Sequence, residues 1–170
     1  MSYAKIARKN FAHLLGTLDH IVSKAEAAGL ADSVLEEKLT EDMFSLELQF
    51  RVALNQVLLA LNHVGGIVAP LEDAPYRSLA EVRQRIAAIR MKTEQVDAGV
   101  WAAPDAIVDL TLPNGVRFLM SAEDDIQDWI MPNFYFHVTM AYALLRRAGL
   151  ELGKMDFLPH MDQHKVHGSE

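Results

Sequence analysis

Three observations predict an all-α fold, a four-helix bundle with a small β-hairpin between its third and fourth helices. Four long segments repeat apolar side chains at helical spacing. Three of them stop at glycine, the residue that most readily closes a helix. Between the third and fourth, the pattern changes to a short extended one around Pro113-Asn114-Gly115. The chain has 170 residues, of which 51% are apolar. A chain of this size buries about 70% of its surface on folding, enough for one core and too little for two ordinary domains.

The first helix is predicted from Tyr3 to Ala28, with Gly29 as its stop. Phe11, Leu14, Leu15, Leu18, Val22 and Ala25 form its apolar stripe, and His13 and His20 fall on the opposite face, toward solvent. The second runs from Ser45 to Val64 and stops at Gly65-Gly66. It is apolar nearly all round, so it sits against several neighbours. Ser78-Leu79-Ala80-Glu81 reads as a capping box that opens the third helix, whose stripe is Leu79, Val82, Ile86, Ile89 and Val96. Residues 107–112 and 116–119 then flank Asn114-Gly115, a pair suited to the positive φ angles of a tight hairpin turn. Ser121-Ala122-Glu123-Asp124 opens the fourth helix, which ends at Gly149 and is kinked or restarted at Pro132. The connections at 30–44, 65–77 and 98–121 are long for a minimal bundle and imply at least one crossover. The bundle is assigned to residues 1–158, and residues 159–170 to a polar tail bearing His160, His164 and His167.

Charge and composition exclude several functions. Sixteen Lys and Arg against twenty-three Asp and Glu leave a net charge of −7. No basic excess is available to displace phosphate counterions, so nucleic acid is not expected as a partner. With no cysteine, disulfides, thiolate metal sites and a cysteine nucleophile are ruled out. No run is long and apolar enough to span a membrane, and the N-terminus lacks a signal-peptide core. A cytoplasmic location is the expectation.

The fourth helix holds the informative polar groups. At 100° per residue, Ile126, Ile130, Asn133, His137, Met140 and Leu144 share one side, which places Asn133 and His137 inward, one turn apart. A buried imidazole requires a hydrogen-bond partner or a metal. Gln49, Gln56 and His63 make a polar stripe on the second helix, and Asn55 lies on another face. No phosphate loop, dinucleotide fingerprint or zincin motif is present, and no Ser/His/Asp set or carboxylate pair can be assembled.

The stretch Pro132-Asn133-Phe134-Tyr135-Phe136-His137-Val138-Thr139-Met140-Ala141-Tyr142, with Leu144-Leu145-Arg146, Gly149 and Leu152-Gly153-Lys154-Met155-Asp156-Phe157-Leu158, is distinctive. Together with Asp42-Met43-Phe44 and Gln49 it resembles a bacterial family of unknown function within the DinB/YfiT-like metalloenzyme superfamily. That resemblance implies an up-down-down-up bundle and a homodimer. It also implies a divalent-metal site, zinc or nickel on three histidines, at the positions of Gln49, Asn133 and His137. Only His137 keeps the ligand chemistry, and neutral amides bind such metals weakly.

Three functions follow. The first is a bundle without the full three-histidine metal site, whose internal polar pocket of Gln49, Asn133 and His137 binds a small ligand or has a structural role. The second is a divalent-metal-dependent enzyme of thiol-transferase or hydrolase type, with His137 as one ligand and His63 or a tail histidine as a replacement. The third is an interaction module with Tyr135, Tyr142 and Arg146 in a dimer interface. In the alternative to that third reading, Tyr142 or Arg146 anchors the Lys154–Asp156 segment.

Overall fold

The computed structural model describes residues 2–166. Helix α1 (Tyr3–Ala27) starts where the Ser2 hydroxyl accepts from Lys5 N and ends at Gly29, whose φ of 70° lets Leu30 N reach back to Ala25 O at 3.1 Å. A 3-10 turn at Asp32–Glu36 leads to α2 (Leu46–His63), capped by Ser45. The box opening α3 (Leu79–Gln95) is formed with one change of partner. Glu81 N donates to the Ser78 hydroxyl at 3.1 Å, and the Glu81 carboxylate accepts from Arg77 N at 2.7 Å, not from Ser78 N.

Strands β1 (Ile107–Thr111) and β2 (Arg117–Ser121) pair antiparallel, Ile107 against Ser121 and Thr111 against Arg117. The hairpin is as expected, but its turn is not. Gly115 (φ 86°) has a positive φ and Asn114 does not. Pro113 holds its own φ negative, so the chain makes an ordinary turn, Gly115 N to Leu112 O at 2.9 Å, and leaves the left-handed step to glycine alone.

The fourth bundle helix is composite: a short α4 (Ala122–Asp124), a π-helical stretch (Asp125–Ile130), and α5 (Met131–Arg147). Pro132 stands in the first turn of α5 and does not break its middle. Its ring crowds the carbonyl four residues back, and the wider turn before it answers that crowding: Met131 N reaches Ile126 O.

Helix α1 packs against α3 and α5, and α2 packs against α5 and α3. The connection from α1 to α2 therefore joins helices that are not neighbours in this ring, the crossover that the loop lengths require. Phe11, Phe50 and Phe134 are fully buried, with Phe11 edge-on to Phe134 at 5.8 Å between ring centres. The loop after α2 is tied down by two amides of that helix. Asn55 and Asn62 each bond both backbone groups of one loop residue, Glu72 and Ala69 respectively. Gly65 lies so close to α2 that a Cβ there would sit 2.8 Å from the Leu61 backbone.

The C-terminal segment, α6 (Lys154–Phe157) followed by a 3-10 turn (Pro159–His164), lies against α1. His20 Nε2 and Lys24 Nζ donate to one oxygen of Asp156 at 2.8 and 3.0 Å, and Gly153 N donates to the other at 2.7 Å. Thr17 donates to Phe157 O at 2.9 Å, and His13 stacks on His160 at 4.0 Å. The α1 face expected to carry His13 and His20 into solvent is thus partly covered. His167 lies outside the described residues. Among the described residues no helix is long and apolar enough to cross a membrane.

Candidate functional site

Gln49 is set in the first turn of α2, where the Ser45 cap fixes the helix start. His137 lies midway along α5, and the packing of α2 on α5 brings the two together. His137 Nδ1–H donates to Gln49 Oε1 at 2.7 Å. The amide's orientation is set from its other end, since Gln49 Nε2 donates to Phe44 O at 3.3 Å. Gln49 is 1% exposed and His137 is 6% exposed. Burial disfavours the imidazolium and pushes the His137 pKa down to about 4. At neutral pH the ring is therefore uncharged, with its proton on Nδ1 and a lone pair on Nε2. Phe44 lies nearly parallel to the ring at 6.2 Å, and Phe136 meets it edge-on at 5.2 Å.

Asn133 does not join this pair. It is half-buried, and its Nδ2 donates to Trp129 O at 2.7 Å, one turn back in its own helix. The buried face of α5 is centred on Phe134, His137, Val138, Ala141 and Leu145. The expected stripe began at Ile126, inside the π-helical stretch, where a turn holds more residues than an α-turn. Projecting at α-helical spacing through that stretch put Asn133 too far inward.

The remaining candidates are dispersed. Asn55 is occupied by the loop after α2. Tyr142 packs edge-on to Phe157 at 5.7 Å, so it anchors the C-terminal segment. Gln56 is buried, and among the described residues its Oε1 is unpaired. His63, fourteen residues beyond Gln49 on α2, sits about 21 Å farther along the helix axis. There its Nδ1–H donates to Asp125 Oδ2 at 3.0 Å. Asp125 is wholly buried, and its second oxygen has no partner among the described residues. Sequence reasoning missed this pair, because neither the spacing nor the type of Asp125 marks it as inward.

The donor set does not fit a three-ligand zinc or nickel centre. Gln49 Oε1 and His137 Nδ1 satisfy each other, and the Asn133 amide is turned to its own helix. Among the described residues no group of three His, Cys, Asp or Glu could hold a metal ion.

The fold and site define a class: a helical bundle in which a buried neutral imidazole, His137, is held by Gln49 between α2 and α5. The chain belongs to the family described as "Domain of unknown function (DUF1993)", which matches residues 4–158. It is also similar to the crystal structure of a DinB family member protein from Shewanella denitrificans. The two are 30% identical, with a TM-score of 0.79 over 89% of this chain and 88% of that one. No curated protein matches.

Proposed function

We propose that this chain is a small-ligand-binding DinB-like bundle without a resident metal, in which His137 Nε2 accepts a hydrogen bond from a neutral N–H or O–H group. The observation carrying the reading is the bond from His137 Nδ1–H to Gln49 Oε1. It commits Gln49 to holding the imidazole, and it leaves Nε2 as a lone-pair acceptor on a ring flanked by Phe44 and Phe136. Phe44 and Phe136, each about half exposed, offer aromatic surface to the ligand's apolar part. A cytoplasmic location and self-association belong to the same proposal. The exposed Phe44, Tyr135 and Phe136 are the surface that a second copy would cover.

Elemental analysis of untagged protein, purified without chelator, is the test. Zinc and nickel are expected well below one equivalent, with no change in a His137→Ala variant. Stoichiometric zinc or nickel that disappears in His137→Ala would overturn the reading and favour the metal-dependent enzyme.

A further inference from the structure

Among the described residues, two side-chain nitrogens outside the His137 site are buried without a hydrogen-bond partner and line neighbouring cavities: Arg8 Nε and His160 Nδ1. The Arg8 cavity, about 80 Å³, lies between α1 and α3. The His160 cavity, about 460 Å³, lies between α1, Arg90 of α3 and the Pro159–His164 turn. Ala12 and Arg90 line both, so the two form one groove. Its α1 wall opens at Ala12 and Gly16, and a Cβ added at Gly16 would meet nothing within 4 Å.

The charge in this groove runs against that of the molecule. The chain carries a net −7, yet the cations Arg8 and Arg90 line this groove together with His13 and His160, and Lys9 and His164 lie near enough to act on His13. Among the described residues Arg8 makes no ion pair, and Arg90 makes an exposed one with Glu94 at 3.2 Å. Glu94 is the acidic side chain that lines the groove, while Asp162 is paired with Lys165 at 2.7 Å. The crowding registers on His13, whose pKa is lowered first by burial and then by His160, Lys9 and His164. A guanidinium N–H without an acceptor costs free energy that an anionic oxygen would recover.

We propose that this groove binds a small oxyanion, the phosphate or carboxylate group of a metabolite, through the Arg8 and Arg90 guanidinium groups and the stacked His13–His160 pair. Tetrahedral and planar oxyanions share the chemistry that recognises them here, namely acceptor oxygens facing convergent N–H donors.

Amide chemical-shift titrations with sodium sulfate and with sodium acetate, each against sodium chloride at matched ionic strength, test it. Saturable shifts are expected in residues 8–16, 90–94 and 160–163 with sulfate or acetate and not with chloride. Preference for sulfate assigns a phosphate-bearing ligand, and preference for acetate a carboxylate. Arg8→Gln and Arg90→Gln should each weaken binding at least tenfold. Arg83→Gln, farther along α3, removes the pairs with Asp19 and Glu26 of α1 and should leave it unchanged. Arg90 is exposed, so that variant decides the matter if Arg8→Gln fails to fold. Equal shifts with chloride, or affinities unchanged in every folded variant of Arg8 and Arg90, would overturn the proposal.

Discussion

His137 shows how one buried side chain sets both chemistry and stability. Its folded pKa of about 4 lies below the ordinary 6.5 because the imidazolium would be desolvated. Between those values the unfolded chain binds a proton that the folded chain does not. The stability is therefore complete above about pH 6.5 and is lost as pH falls toward 4, at up to about 1.4 kcal/mol per pH unit. Urea unfolding at pH 7.5 and pH 5.0 should show wild type losing about 2 kcal/mol more than His137→Phe over that interval. Equal losses in the two proteins would place the pH dependence elsewhere. Asn133 makes the complementary point. It was expected to turn inward beside His137, yet it bonds the carbonyl of Trp129, because its neighbours in the π-helical stretch rotate it to the edge of the buried face.

At the scale of an element, the composite fourth helix matters most. Its π-helical stretch carries Asp125 into the core, and His63 at the end of α2 meets it. This pair joins the far end of α2 to the π-helical stretch, as Gln49 at the near end of α2 is joined to His137 midway along α5. Removing one partner of a hydrogen bond to a buried group leaves that group unsatisfied, a cost of about 1–3 kcal/mol. His63→Ala should lower unfolding stability by about that amount in urea denaturation, with Gln49–His137 chemistry untouched. A loss below about 1 kcal/mol would show that water already serves Asp125. The Asp156 hub acts in a similar way at the surface. The Gly153 backbone N–H first, then His20 and Lys24, hold its carboxyl below the usual range, and the two side chains fasten α6 to α1. The LGKMDFL stretch that stood out in the sequence is therefore a clasp.

For the whole molecule, the proposal to test is self-association. Phe44, Tyr135 and Phe136 are each between 42% and 52% exposed, whereas the large apolar side chains of the bundle interior are sealed. Sedimentation velocity at several concentrations should report a dimer that weakens toward monomer in Phe136→Ser. A monomer at every concentration would remove the homodimer from the proposal. The oxyanion groove lies on the α1–α3 side and the His137 site between α2 and α5, so the two can be tested separately.

The sequence by itself determined the elements. Helix ends were legible at Ser78, Gly29 and Gly149, because caps and left-handed stops are decided by residues a few positions apart. The hairpin at Pro113-Asn114-Gly115 and the core stripes were legible for the same local reason. Gln49 and His137, eighty-eight residues apart, were brought together by the family resemblance, whereas helical spacing alone gave the inward side of His137. Only the tertiary structure decided which polar groups meet. The His63–Asp125 pair, the His13–His160 stack and the groove between Arg8 and Arg90 each join residues from different elements. Such partners are chosen by how helices pack and by a local change of helical pitch, and neither leaves a periodic signature in the chain.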